Sequence, residues 1–268
     1  MDYLETKPSP RLAGFIKCFW ALEYPGSGEP EPVLPDGCPE LVFNLSEPFM
    51  RVYSGHEERQ PTALLAGQMS RSILIRPSGK VKLFGVRFQP AGAAPLLGFP
   101  LHELNDEIVE FRRVGVRQAY DVEHRMTEAL SFAERRSIFE EFLIQRLAEC
   151  KQNDPVSCIA AVMIDNRCGR VPVSEVSRQL GISERQLERR FKRTVGISPK
   201  MLSRIARFQS VVRACRDGEF PNLLDAALSS GYYDQSHLIR DFREFSGLTP
   251  LAYFERTHRI ADVFTGAV

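Results

Sequence analysis

One pattern occurs twice in the last third of the chain, and this repeat limits the possible folds more than any other feature. Residues 187–199 have the pattern L-x3-F-x4-G-x-S-P, and residues 238–250 have the pattern L-x3-F-x4-G-x-T-P. Every matched position is displaced by 51 residues along the chain. Because constant spacing marks a duplicated structural unit, we predict two similar folding units in this region.

The first copy has the sequence signals of a helix-turn-helix. A short helix is predicted over 173–180, and Gly181 ends it because glycine adopts the left-handed conformation without a Cβ clash. Ser183 is a candidate N-cap for a second helix over about 184–194. The apolar residues of this second helix fall on one face and its charged residues on the opposite face. In a helix-turn-helix the second helix enters the major groove of DNA, and we call it the reading helix.

The second copy repeats this layout after a connecting helix. A short helix is predicted over 224–229, Gly231 closes it, and Asp234 is placed to cap a reading helix that reaches about Phe245. The connecting helix, predicted over 201–215, spans roughly 22 Å at ~1.5 Å per residue. Adjacent major-groove segments on one face of DNA lie ~34 Å apart, so the two reading helices are expected to enter neighbouring segments.

A further helix is predicted before the first copy, over 154–167. Asp154 followed by Pro155 is a favoured pair at the start of a helix. From the spacing of its apolar residues, we expect one side of this helix to consist of Ile159, Val162, Met163 and Ile164.

The outward faces of the reading helices supply the candidate DNA contacts. Arginine suits guanine through its fork of donors, whereas Glu188 is expected either to accept from cytosine or to orient neighbouring arginines. Arg190, Arg193 and Arg243 are expected to contact phosphate or to remain solvated, as is Lys192. The candidates are Arg185, Glu188, Arg189 and Lys192 in the first helix, and Gln235, Ser236, His237 and Arg240 in the second.

The small net charge of +1 hides an asymmetry along the chain. Residues 170–260 hold 16 Lys and Arg against 10 Asp and Glu, whereas residues 1–169 hold 19 against 23. A basic C-terminal third is typical of a domain that is attracted to phosphate.

The first hundred residues predict mostly β-structure, in a small barrel or sandwich. Short apolar runs alternate with turn signals, and Trp20 is expected in the core. In the run 80–88, Val81, Leu83, Val86 and Phe88 are expected inward, with a bulge or register change at the glycine between them. Asp36 and Glu40 are expected to stabilise a turn, and Arg87 either to point outward or to pair with a ligand carboxylate.

These patterns predict an α+β chain with a β-rich N-terminal domain and an all-α C-terminal domain. The N-terminal domain is expected over 1–150, and its helical end over about 117–150 includes a helix near 133–147. That helix is interpreted either as domain core or as a dimerising or interdomain helix. The DNA-binding domain is expected over 154–258, followed by a tail over 259–268.

Several functional classes lack their usual signals in this sequence. The cysteines form no C-x-x-C pair and the histidines no H-x3-H pair, so we predict no metal, no cofactor and no catalytic residues. No apolar run approaches the ~18 residues of a membrane span, and the first residues lack a secretory layout. We therefore expect a cytoplasmic protein that does not enter a membrane.

Within 173–253, the sequence resembles the AraC/XylS family of bacterial transcription regulators. The resemblance implies a seven-helix domain with two helix-turn-helix units, bound to double-stranded DNA and acting with RNA polymerase. By position it assigns base contacts to Arg185, Glu188, Arg189, Ser236, His237 and Arg240, with Gln235 at the start of the second helix. Tyr232-Tyr233 and His237-Leu238 depart from the residues common in the family. The matching stretches are 179–191, 196–199, 204–207, 227–242 and 247–253.

The N-terminal part resembles a sensor-type domain found in some members of that family. The similar stretches are the turn 35–38 and the segment 86–98. The resemblance implies a small-molecule effector or a homodimer, with ligand-binding residues unknown. The leading hypothesis is therefore an effector-responsive, sequence-specific DNA-binding regulator, such as an activator. The alternatives are a DNA-binding alkyl-transfer or repair enzyme, and a ligand-independent regulator controlled by protein partners.

Overall fold

The computed structural model describes residues 1–53, 55–150, 154–220, 222–256 and 263. Its N-terminal part contains two antiparallel sheets, with strand orders β1-β2-β9-β4-β7-β10 and β3-β8-β5-β6. This arrangement confirms the predicted β-rich N-terminal fold. The strands are β1 (Asp2–Thr6), β2 (Ile16–Tyr24), β3 (Glu31–Val33), β4 (Glu40–Asn44), β5 (Met50–Tyr53), β6 (His56–Arg59), β7 (Ala63–Ala66), β8 (Ile73–Arg76), β9 (Val81–Phe88) and β10 (Ile108–Glu110).

The interior of the sandwich is built around Trp20, the only tryptophan of the chain. Trp20 on β2 lies opposite Gly85 on β9, and a Cβ atom on Gly85 would lie 2.0 Å from the indole ring. Glycine is therefore required here to make room for the ring. The predicted bulge at this glycine is wrong, because the β2–β9 pairing continues through Gly85 and its irregularity lies between Ile16 and Cys18.

We expect the substitution Gly85→Ala to lower the free energy of unfolding by ~1–3 kcal/mol, because the added methyl group must displace a fully packed ring. Denaturant unfolding followed by Trp20 fluorescence measures this change. Gly26→Ala is the matched control, since nothing lies within 4 Å of a Cβ atom at Gly26. Equal stability of the two variants would mean that the indole ring has room to move.

The six-stranded sheet is buried on both faces, and this explains the irregular pattern of β9. Val81 and Leu83 point into the sandwich, whereas Phe84, Val86 and Phe88 pack against the opposite face. The expectation that Val86 and Phe88 share a face with Val81 is wrong, because successive residues of a strand point to opposite sides and no bulge at Gly85 resets this alternation.

Helices cover the outer face of the six-stranded sheet. Phe139, Phe142 and Leu143 are buried there, and the Phe43 and Phe139 rings lie 5.6 Å apart. The predicted helix over 133–147 is therefore confirmed as part of the N-terminal core. The helices are α1 (Ala93–Leu97), α2 (Ala119–Glu128) and α3 (Phe132–Glu149), with short 3-10 helices at Leu101–Leu104 and Phe111–Val114.

In the described part of the C-terminal region seven helices follow, as the family resemblance implies, and they share one apolar core. The pairs α5–α6 and α8–α9 are the two helix-turn-helix units, and α7 connects them. Among the described residues, none of the helices is long and apolar enough to span a membrane. The seven helices are α4 (Pro155–Asn166), α5 (Val173–Gln179), α6 (Glu184–Thr194), α7 (Pro199–Arg216), α8 (Leu223–Ser229), α9 (Gln235–Ser246) and α10 (Pro250–Phe254).

The apolar side predicted for α4 is partly wrong. Ile159 and Val162 are each 51% exposed, whereas Ala160, Ala161 and Ile164 are buried. Helix α4 approaches α6 and α7 through the face that carries Ala160, Ala161 and Ile164, and this leaves Ile159 and Val162 on the solvent side.

The predicted domain limits remain predictions. Residues 151–153, within the expected boundary, lie outside the described residues, and Val263 is the described residue of the expected tail.

Candidate nucleic-acid interface

The first reading helix, α6, presents an exposed basic face above a buried apolar face. The Ser183 hydroxyl accepts a hydrogen bond from the Gln186 backbone N–H at 3.2 Å, and the Gln186 side chain accepts one from the Ser183 N–H at 3.0 Å. This reciprocal cap fixes the start of the helix. Leu187 and Phe191 are fully buried. The predicted contact residues on the opposite face are all exposed: Arg185, Glu188, Arg189 and Lys192.

The second reading helix, α9, has the same organisation. Asp234 accepts a hydrogen bond from the His237 backbone N–H at 2.7 Å and thereby caps the helix, while Leu238 and Phe242 are buried. His237 is half-buried, and its ring lies edge-on to the Tyr232 ring with centroids 5.1 Å apart. Its imidazole therefore also supports the turn. The other predicted contact residues are exposed: Gln235, Ser236 and Arg240.

Tyr233 is an additional exposed side chain beside α9 that the sequence interpretation did not assign to the site. It is 88% exposed, whereas the preceding Tyr232 is buried. Two consecutive tyrosines before a capped helix indicate that one of them is exposed, because neighbouring side chains in an extended turn cannot both enter the core.

Arg190 belongs to α6, but its side chain forms an ion pair with Asp154 instead of adding to the basic face of the helix. Its guanidinium lies 3.0 Å from the Asp154 carboxylate, which also accepts a hydrogen bond from the Ser157 backbone at 3.3 Å. Arg190 therefore joins the reading helix to the start of α4 instead of remaining fully solvated as one interpretation expected.

The connecting helix α7 holds the second reading helix through a partly buried ion-pair network. The Arg204 guanidinium lies 2.7 Å from Asp241 and 2.6 Å from Glu244, and it stacks over Phe245 at 5.0 Å. Hydrogen bonds to these carboxylates raise the pKa of Arg204, so it stays charged. The Phe208 ring lies 5.1 Å from the Phe245 ring. These contacts fix the orientation of α9 relative to α7.

The N-terminal domain contacts the C-terminal end of both reading helices. The Ser72 backbone N–H donates to the Phe245 carbonyl of α9 at 2.7 Å. The Asn105 side-chain amide donates to the carbonyl of Gly196, just after α6, at 2.7 Å. One domain thus holds both halves of the interface.

A second connection to the N-terminal domain uses the loop 33–38. The Gln209 side chain on α7 donates to the Pro35 carbonyl at 2.7 Å, and Leu34 is part of the C-terminal apolar core. A Cβ atom at Gly37 would lie 2.7 Å from Leu202 of α7. The loop therefore packs directly on the connecting helix.

The same loop lines a small cavity in the sandwich interior. The cavity has a volume of about 60 Å³, and its lining includes Pro35 and Asp36 from this loop and Met69 from the loop that precedes Ser72. Two segments that line the cavity are therefore also linked to the C-terminal helices: the loop 33–38 contacts α7, and the loop that contains Met69 leads to the Ser72 contact with α9.

One end of the sandwich interior contains a buried ion-pair cluster. Arg87 is 1% exposed; its Nε atom lies 2.7 Å from Glu40 and 3.6 Å from Asp36. Burial raises the pKa of Glu40 to about 7. Asp36 accepts from the Cys38 backbone N–H at 2.9 Å, as expected for a turn. The expectations that Arg87 points outward and that Glu40 only stabilises a turn are wrong, because these residues pair with each other.

The Cys18 and Cys38 thiols lie near this cluster but are poor nucleophiles. Burial raises the pKa of Cys18 to about 12 and raises that of Cys38 still further. Within the described ranges, His, Cys, Asp and Glu side chains form no group of three that could hold a metal ion.

Solved structures in which the chain follows a similar path include those of ToxT from Vibrio cholerae. One ToxT structure is 10% identical, with 95% of this chain and 98% of that chain covered and a TM-score of 0.45. Wild-type ToxT bound to unsaturated fatty acid is 10% identical, with coverages of 88% and 94% and a TM-score of 0.47. ToxT bound to (E)-4-(8-methylnaphthalen-1-yl)but-3-enoic acid is 10% identical, with coverages of 88% and 97% and a TM-score of 0.47.

Family models match the chain in two segments, whereas a comparison with curated proteins finds no match. Residues 4–110 match a domain of unknown function, DUF6597, and residues 176–256 match a helix-turn-helix domain. The second match includes both reading helices and both copies of the repeated pattern. The chain therefore carries the paired helix-turn-helix domain of the AraC/XylS family of transcription regulators, joined to an N-terminal DUF6597 domain.

Proposed function

We propose that the chain is a sequence-specific DNA-binding transcription regulator whose DNA affinity responds to a small molecule in the N-terminal domain. The observation that carries this proposal is the pair of capped reading helices, each with a buried apolar face and an exposed polar face. A single connecting helix supports both of them, so they can act on one duplex as a unit.

Base recognition is assigned to the exposed residues of the two reading helices. Arg185, Arg189 and Arg240 suit guanine, since a guanidinium donates two hydrogen bonds to the major-groove edge of that base. Glu188 is suited either to cytosine or to orienting the arginines beside it. The remaining candidates, Lys192, Gln235, Ser236 and His237, provide phosphate contacts or additional base contacts.

The effector response is supported by the position of the sandwich cavity. ToxT structures contain an unsaturated fatty acid or a naphthalenyl butenoic acid. In this chain the cavity lies between the sheets, and its loops contact α7 and α9. A ligand changes DNA occupancy only if it binds two conformations with different affinity. Loops shared by the cavity and the interface provide a structural basis for such a difference.

Further partners and the location follow from the family resemblance. RNA polymerase is proposed as the protein that the bound regulator contacts, and a second copy of the chain as a partner in a homodimer. A regulator of bacterial genes acts where the chromosome lies, so we propose a cytoplasmic location.

We predict that the protein, bound to its operator, protects two successive major-groove segments on one face of the DNA. The operator is first obtained by selecting genomic fragments that the purified protein retains, and hydroxyl-radical and methylation footprinting then define the contacts. Protection centred on segments ~34 Å apart is expected from the duplicated unit. Protection of a single segment would remove the second unit from the DNA-binding role.

Two alternative functions make different predictions. An alkyl-transfer enzyme needs a reactive thiolate, and the raised pKa values of Cys18 and Cys38 disfavour that form. A ligand-independent regulator would bind DNA in the same way, so thermal-shift titration of the intact protein against metabolites separates it from the leading proposal. A ligand that binds the native state raises the melting temperature, whereas a ligand-independent regulator gives no such increase with any metabolite.

A further inference from the structure

The turns of the two helix-turn-helix units differ in length by one residue. In the first unit Ile182 alone separates Gly181 from the N-cap Ser183. In the second unit two tyrosines separate Gly231 from the N-cap Asp234. Both glycines have a positive φ, 66° at Gly181 and 86° at Gly231, so the two turns begin in the same way. The second turn therefore contains one residue that has no counterpart in the first.

Tyr232 is the counterpart of Ile182, because the two residues make the same backbone contact. The Ile182 N–H donates to the carbonyl of Ser177 at 3.1 Å, and the Tyr232 N–H donates to the carbonyl of Ala227 at 3.0 Å. Each of these hydrogen bonds reaches back into the short helix of its own unit. Both side chains also pack on the C-terminal apolar core. The additional residue of the second turn is therefore Tyr233.

Tyr233 is exposed beside the start of the second reading helix. Its side chain is 88% exposed, and it forms no hydrogen bond or ring contact among the described residues. The neighbouring Asp234 carboxylate is already engaged, since it accepts a hydrogen bond from the His237 N–H at 2.7 Å. The exposed Gln235 and Ser236 follow directly in the sequence. The Tyr233 hydroxyl is therefore available to the molecule that α9 binds.

The position and the chemistry of Tyr233 favour a phosphate oxygen as its partner. The first residues of a reading helix lie closest to the base edges, so a residue that precedes the helix cap lies towards the rim of the groove, where the DNA backbone runs. Tyrosine hydroxyls are among the side-chain groups that donate to phosphate oxygens. The hydroxyl is a neutral donor, so it binds phosphate without the counterion release that lysine and arginine cause.

We propose that the Tyr233 hydroxyl donates a hydrogen bond to a DNA phosphate at the rim of the major-groove segment that α9 enters, and so fixes how this helix is seated in the groove. This inference rests on the proposed DNA-binding role. It adds a contact that belongs to the second unit alone, since the first turn lacks the additional residue. The contact strengthens binding to operator and to random DNA alike, because phosphates carry no sequence information.

Tyr233→Phe tests the hydroxyl, because it keeps the ring. We expect this variant to bind operator and random DNA about equally more weakly, by roughly tenfold, as for other hydrogen bonds to a charged group. The slope of log affinity against log salt should stay unchanged, whereas loss of one phosphate-bound lysine or arginine reduces it by ~0.9. Tyr120→Phe is the matched control, since it removes the hydroxyl from a tyrosine of the N-terminal domain that is 67% exposed. Both variants should keep the melting temperature of the unaltered protein.

The phosphate itself is identified with operator duplexes that carry one uncharged methylphosphonate linkage at a time along the segment protected by α9. At one linkage the modification should weaken binding of the unaltered protein at least about threefold more than binding of Tyr233→Phe, because that variant has already lost the contact. Tyr120→Phe should respond like the unaltered protein. Equal losses for all three proteins at every linkage would overturn the proposal.

The remaining outcomes separate this inference from the function on which it rests. A loss of affinity for operator but not for random DNA would make Tyr233 a base contact and overturn the phosphate assignment. Failure of the unaltered protein to retain any genomic fragment contradicts the regulator proposal itself. Operator binding that Tyr233→Phe leaves unchanged contradicts only the role of Tyr233.

Discussion

Replacing Arg189 and Arg240 together by alanine is expected to remove most of the preference of the protein for its operator over random DNA. Both side chains are exposed on the outward faces of their reading helices. Each bidentate contact with guanine contributes ~1–3 kcal/mol of discrimination, which corresponds to roughly 5- to 150-fold in affinity per residue. Because the two helices are separate units, the two losses should add.

The measurement is the ratio of dissociation constants for operator and random DNA at one fixed salt concentration. Arg117→Ala removes the same charge from an exposed position in the N-terminal domain and is the matched control. Arg189→Lys retains the charge but lacks the planar fork of donors, so it should lose specificity while retaining affinity for random DNA. An equal loss on both kinds of DNA in the double variant would reduce the two arginines to phosphate contacts.

Replacing Arg204 by methionine is expected to destabilise the DNA-binding domain by ~3–5 kcal/mol, because it leaves a buried carboxylate without its cation. Asp241 is 1% exposed and lies 2.7 Å from Arg204, and it also accepts a hydrogen bond from the Tyr232 hydroxyl at 3.2 Å. Loss of the guanidinium also removes its stacking on Phe245. The orientation of the second reading helix should therefore loosen before the first unit is affected.

Urea unfolding followed by circular dichroism measures the loss of stability. Arg213→Met is the matched control, because Arg213 is exposed on the same helix. Adding Asp241→Asn to Arg204→Met should restore part of the stability, since the unpaired charge is then removed. If Arg204→Met is no less stable than Arg213→Met, the ion pair does not hold the two helices together.

The DNA-binding domain could be predicted from sequence because its signals are local. The Ser183 cap and the buried Leu187 and Phe191 of α6 lie within a few residues of each other, as do the corresponding residues of α9. Spacing within one helix determines which face is buried, and glycine marks the turn between helices. The roles of the exposed residues in base contact stay predictions, since they depend on a bound duplex.

Local apolar patterns gave the wrong buried face in two cases. In one, both faces of the element are covered; in the other, small residues make the contact between helices. Strand β9 places Val81 and Phe88 in two different cores, so a single inward face was the wrong expectation. Helix α4 buries Ala160 and Ala161 and exposes Val162, because a close approach of helices favours small side chains. Apolar spacing alone does not contain this information.

The ion pairs could not be predicted from the sequence for a different reason. Arg87 and Glu40 are separated by 47 residues, and Arg204 and Asp241 by 37. Their encounter depends on how strands and helices assemble, and no spacing rule connects residues so far apart. The one clue in the sequence was a charged residue, Arg87, within an apolar strand.

The link between Ser72 and Phe245 joins two backbone groups, an amide N–H and a carbonyl. Any substitution other than proline at position 72 leaves both of these groups in place. The sandwich interior, in contrast, takes its shape from side chains such as Phe49 and Ile75. Under the proposed effector response, substitutions in the sandwich interior can therefore change which compound is bound while this backbone link to the second reading helix is retained.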